Sequence, residues 1–219
     1  MRKNALKTGA LILFLFTGKI VIGQDTSKVR RWEIVLNITN AISRFSGNGA
    51  RNINEDPYLM AVKWRNKTNR HAIRLGFNQS YSSITTQIFP GERRTKDFYF
   101  SPLLGYEWRR HIDNHFMFFY GLDARGGIRN GSVEIIDPGI GPVQVISSKD
   151  NGIGAGPFCG FVWKINPRVS LFTEANFYAQ YTTTYRYLDD GISKTILEDS
   201  RKVVFTPVIP TSLFISIAF

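Results

Sequence analysis

The sequence predicts an all-β chain: an eight-stranded antiparallel up-and-down transmembrane β-barrel with short periplasmic turns and four long extracellular loops. Three observations carry this. Segments of about ten residues alternate apolar and polar side chains, as a strand does with one face to lipid and one to a lumen. The connections between these segments alternate short and long along the chain. All four tryptophans, Trp32, Trp64, Trp108 and Trp163, fall on the apolar parity at one height, where a membrane interface would collect them.

The first 23 residues read as a signal peptide. Arg2, Lys3 and Lys7 precede the apolar run Ala10 to Phe16, and Val21-Ile22-Gly23 forms an acceptable cleavage site before Gln24. Lys19 interrupts the run too early for a spanning helix, which needs about 20 apolar residues. Cleavage would leave a short periplasmic lead (24–30) and the barrel (31–219). It would also lower the formal charge from +11 to +7, because the segment holds four cations and no acid. The remaining cations are scattered among acids rather than gathered in a stripe, which argues against nucleic acid as a partner. The one cysteine, Cys159, sits in an apolar strand and reads as a small hydrophobe.

Eight strands follow in order: Arg31 to Asn40, Pro57 to Arg65, Arg70 to Tyr81, Asp97 to Arg110, Phe116 to Gly127, Gly152 to Ile165, Arg168 to Thr182 and Val203 to Phe219. Short turns are expected at Asn66 to Asn69, His111 to His115 and Asn166-Pro167. Long loops are expected at Ala41 to Asp56, Ser82 to Lys96, Ile128 to Asn151 and Thr183 to Lys202. Tight turns on the periplasmic side and free-growing loops on the cell surface produce this rhythm. Val133 to Ile136 and Val145 to Ile146 flank a turn-like Asp137-Pro138-Gly139 and read as a hairpin. At four or so residues a side it is too short to cross, since crossing needs about 9 to 11. It is therefore placed in the third loop, with a ten-stranded barrel as the alternative.

Parity assigns Ile34, Leu36, Met60, Leu75, Leu104, Tyr120, Phe161 and Ile217 to the outer face with the tryptophans, whose ring would be a periplasmic aromatic girdle. The inner face receives Glu33, Lys63, Arg65, Arg74, Glu107, Arg109, Asp123, Arg125, Lys164 and Glu174, with Asn37, Asn78 and Asn176. Eight strands enclose just enough room for side chains to fill, so these charges are expected to pair as a network that plugs the lumen. Inward Gly152, Gly154, Gly156 and Gly160 would make room for long side chains from the opposite wall. A phosphate-binding glycine loop is the rival reading, but it requires a strand before and a helix after.

These features resemble the small outer-membrane barrels of Gram-negative bacteria, the OmpA transmembrane domain and OmpX group and the related outer-membrane β-barrel domain family. The residues that carry the resemblance are the terminal strand Ser212 to Phe219, the segment Leu104-Gly105-Tyr106-Glu107-Trp108-Arg109-Arg110 and Phe119-Tyr120-Gly121-Leu122. The resemblance implies that Leu213, Ile215, Ile217 and Phe219 form a signal read by the barrel-assembly machinery. It also implies outer-membrane lipid and lipopolysaccharide as surroundings. The glycine usual in that signal is absent.

Enzyme chemistry is not expected, nor a metal or cofactor. His71, His111 and His115 all lie at the periplasmic edge, so surface chemistry would lack its commonest base. His111 and His115 stand four apart in a turn rather than on a helix, as a metal pair would require. Asp189, Asp190, Glu198 and Asp199 read as solvated loop acids. Arg129, Lys149, Arg186, Lys194, Arg201 and Lys202 offer contacts for lipopolysaccharide phosphates, or a solvated rim. The expected function is structural or surface-binding, through loops whose ligand the sequence does not name. A small porin-like passive pore and a lipid-modifying enzyme are the alternatives.

Overall fold

The computed structural model describes residues 30–39, 42, 58–89, 91–136 and 144–219. The expected signal peptide, the lead up to residue 29 and, save Ile42, the first long loop lie outside the described residues.

Among the described residues, nine strands form one antiparallel sheet: β1 (Trp32–Asn37), β2 (Met60–Arg65), β3 (His71–Ile88), β4 (Gly91–His111), β5 (Phe116–Ile136), β6 (Gln144–Lys164), β7 (Val169–Asp189), β8 (Lys194–Val208) and β9 (Phe214–Ala218). Neighbours in sequence pair from β1 to β7. The ring closes where β9 pairs both β7 and β1. The eight-stranded barrel is therefore observed, because β8 and β9 lie along the same edge of β7 and form one interrupted stave.

That interruption differs from the single last strand expected over Val203 to Phe219. Pro207 and Pro210 lack the amide a ladder needs, and the strand breaks between Val208 and Phe214. The Thr173 hydroxyl spans the gap by donating to the carbonyl of Ser212 at 2.9 Å. The first strand likewise stops at Asn37 rather than Asn40; there the Thr39 hydroxyl accepts the Leu213 amide at 2.9 Å.

Three short turns gather at one end, each organised by an Asx side chain. Asn66 accepts the amides of Arg70 and His71 at 2.9 and 3.2 Å. Asp113 accepts those of His115 and Phe116, both at 2.6 Å. Asn166 accepts those of Arg168 and Val169, both at 2.8 Å. Asn and Asp mimic a backbone turn in this way. Asn69, at φ 54°, holds the left-handed position that asparagine tolerates.

At the opposite end the structure departs from the sequence reading. The described parts of the segments expected as the second, third and fourth loops are largely paired strand, with β3 running to Ile88, β5 to Ile136, β6 from Gln144 and β7 to Asp189. The short hairpin foreseen at Val133 to Ile146 is the top of β5 and β6, with Val133 opposite Ile146. Four strands run 21 residues, or about 70 Å at the usual rise, twice what a bilayer requires. β1 and β2 stay at six residues. Above them β3 pairs only β4, and β8 only β7, among the described residues.

Candidate functional site: the filled lumen and its vestibule

Of the ten charged side chains assigned to the interior, eight are buried, and Arg65 and Lys164 are half-buried. Glu33, Lys63, Arg74, Glu107, Arg109, Asp123, Arg125 and Glu174 are buried, as are Asn37, Asn78 and Asn176. The outward parity is exposed or half-buried, with Trp32, Trp64 and Trp163 exposed and Trp108 half-buried. Trp32 pairs directly with Trp64 near the turn end, and Trp108 stacks on Tyr120 at 5.7 Å. The assignment works because strand side chains alternate strictly between faces.

The interior charges form two groups. Nearer the turns, the Arg109 guanidinium donates to Glu107 at 2.6 Å and to Glu33 at 2.9 Å. Lys63 donates to the other Glu107 oxygen at 2.8 Å, and Arg65 lies 3.8 Å from Glu33. Farther along the axis, Arg74 grips both oxygens of Asp123 and donates to Glu174 at 2.8 Å. The Tyr178 hydroxyl completes Asp123 at 3.0 Å, and that of Tyr58 reaches Glu174 at 3.2 Å.

Together these groups hold four cations and four acids. Pairing of this kind lets charge exist where water does not. Between the groups lies a layer of aromatic rings. Lys63 Nζ stands 4.5 Å from the Phe172 ring centre, and the Arg74 guanidinium 3.4 Å from that of Phe158. Phe172 stacks on Phe214 at 4.9 Å and meets Phe119 edge-on at 5.7 Å. These inward rings were absent from the expected interior, although Tyr178 shares the parity of Glu174 and Phe119 that of Asp123.

Two expected members stand apart. Lys164 lies at the turn end, its ammonium donating to His111 Nδ1 at 3.1 Å. Burial, then the Lys164 and Arg109 charges, hold the His111 imidazole below the ordinary histidine range. Arg125 stands at the other limit of the filled zone, with no ion pair among the described residues; its Nη2 donates to the Tyr99 hydroxyl at 3.2 Å.

The glycine stripe of β6 serves close packing. A Cβ on Gly160 would collide with the Phe119 ring, and one on Gly156 with the Phe177 carbonyl. Those glycines let neighbours pack close, as do Gly154, whose Cβ would meet the Ala179 carbonyl, and Gly152, whose Cβ would meet the Gln180 amide; Gly152 also borders a cavity. Above them the extended strands surround a polar vestibule of about 570 Å³, lined by Lys96, Asp97, Arg129, Asp150, Arg186, Glu198 and Lys202 among others. Arg129 forks onto Asp97 at 2.9 and 3.1 Å, which raises its pKa.

Of the expected assembly signal, Ile215 and Ile217 lie in β9 opposite Leu36 and Ile34. Leu213 and Phe219 flank that strand and are exposed. The Phe219 amide donates to the Trp32 carbonyl at 3.0 Å, joining the last residue to the first strand.

No family model and no curated protein matches the chain. Among solved structures it is similar to CarO of Acinetobacter baumannii, over 87% of this chain and 98% of CarO, at 11% identity and a TM-score of 0.40. The barrel assignment rests on this chain's own strand pairing.

Proposed function

We propose that the chain is an integral outer-membrane barrel of the OmpA and OmpX kind, exported by its signal peptide, whose filled lumen makes it a rigid, non-conducting post. The turn end faces the periplasm, and the extended strands carry a polar vestibule beyond the cell surface, where it binds rather than catalyses. The observation that carries this reading is the interior: buried, charge-balanced ion pairs and stacked rings occupy the section of barrel surrounded by an apolar exterior. A soluble barrel has no reason to turn Ile73, Leu75, Leu104 and Leu122 outward, each more than 40% exposed, whereas lipid rewards it. Exposed Trp32, Trp64 and Trp163 beside the turns support an interfacial girdle at that end.

The test is topological. With Cys159 replaced by alanine, Ser193→Cys at the β7–β8 tip should react on intact cells with a membrane-impermeant maleimide, and Asn69→Cys in a short turn should not. Equal labelling of both, or recovery of the protein in the detergent-free soluble fraction, would refute the placement.

A further inference from the structure

Where the filling ends, the inner wall of β5 and β6 turns to glycine at Gly127, Gly152 and Gly154. Arg125 on β5 stands opposite Gly154 on β6, which stands opposite Gln180 on β7. One step above, Gly127 faces Gly152, which faces Thr182. Arg125 and Gln180, whose amide nitrogen lies over Gly152, border a cavity of about 180 Å³ that Tyr99 and Gly127 also line. It shares Arg129 and Asp150 with the vestibule above. A water molecule occupies about 30 Å³ in the liquid, so there is room for a small ion and several waters.

Arg125 is 7% exposed, and its Nε has no hydrogen-bond partner. Its guanidinium carbon lies 4.7 Å from the Tyr178 ring centre, but the Tyr178 hydroxyl is already given to Asp123. Of the nearby acids, Asp123 is committed to Arg74 and Asp97 to Arg129, while Asp150, which lines the same cavity, stands opposite Arg129 on the neighbouring strand. The other buried arginines, Arg74 and Arg109, each hold two carboxylates. A buried cation is costly unless an anion offsets it, and the guanidinium fork fits a planar or tetrahedral oxyanion through two parallel donors.

We infer that the vestibule floor is a binding site for an oxyanion head group, the carboxylate or phosphate of a small solute, with Arg125 as its main donor and Gln180 and Tyr99 beside it. The site deepens the surface-binding role and rests on that reading for its access from outside. Arg129 and Lys202 in the vestibule wall draw the anion inward, and Asp150 near the entrance favours a solute that also carries a cation or hydroxyls.

Protein refolded in detergent is titrated by calorimetry with sodium phosphate and, separately, sodium acetate, at ionic strength held constant with chloride. One-site saturation is expected for at least one anion, and the ratio of the two affinities assigns the head group. Arg125→Gln should weaken that binding about tenfold or more, the loss of a charge-assisted pair. Gln180→Glu sets a carboxylate two strands from Arg125. It should abolish binding while raising the thermal midpoint, so the test survives if Arg125→Gln fails to fold. Saturation by neither anion, or unchanged binding in Gln180→Glu, would overturn the site. Surface labelling is read separately: binding in detergent with the maleimide pattern reversed would leave the site intact and refute the outward display.

Discussion

Removing Arg74 would strand Asp123 and Glu174, two carboxylates on side chains with no solvent exposure. An uncompensated buried charge costs about 3–5 kcal/mol, so Arg74→Met should lower the unfolding free energy by about that much in urea titrations from lipid or detergent. Adding Asp123→Asn and Glu174→Gln should recover most of the loss, since the pair's net worth is far smaller than the cost of breaking it. Equal instability of the single and triple variants would mean that packing of the arginine stem dominates. At the turn end, the amides of Phe116 and His115 hold the Asp113 carboxyl below the ordinary aspartate value of 3.8. A depressed carboxylate pKa stabilises the fold above the unfolded value, and that contribution disappears as pH falls through the folded one. An NMR titration of the Asp113 carboxyl carbon should therefore show a midpoint below 3.8, and a midpoint above it would contradict the two short amide contacts.

Among the elements, those with an apolar outer face and a charged inner face were legible, because two different surroundings impose a period of two. Glu33, Lys63, Arg74, Glu107 and Arg109 were placed by parity alone, and so were the tryptophans. The upper halves of β3 to β8 were not legible. Beyond the apolar belt both faces are wet, so Ser82 to Ile88 and Tyr181 to Leu188 lose the alternation while keeping strand-forming Thr, Tyr and Ile. Polarity there reads as a loop although the hydrogen-bond ladder continues. Arg125 was placed inside correctly but expected to pair; parity reports a face, not a partner. The belt itself is open to test. Tryptophan emission in reconstituted vesicles should be quenched more by lipids brominated near the headgroup than near the chain end, and deeper quenching would refute the girdle. The unequal strands make a second prediction. Amides of β3 beyond Asn78 and of β8, paired on one side among the described residues, should exchange with deuterium faster than those of β5, paired on both. Uniform protection along all three strands would mean that the seam is covered.

The described strands combine two parts of different character: a lower closed ring filled by ions and rings, and an upper open arc of β3 to β8 around a polar hollow. On the proposed function, the filled part supplies rigidity and the hollow receives the ligand, with Arg125 at their boundary. A closed lumen is the claim on which this division of labour depends. Planar-bilayer recording of the purified protein tests it most directly. The membrane should stay silent at physiological salt and moderate voltage after insertion is verified, and steady, ion-selective conductance would contradict it.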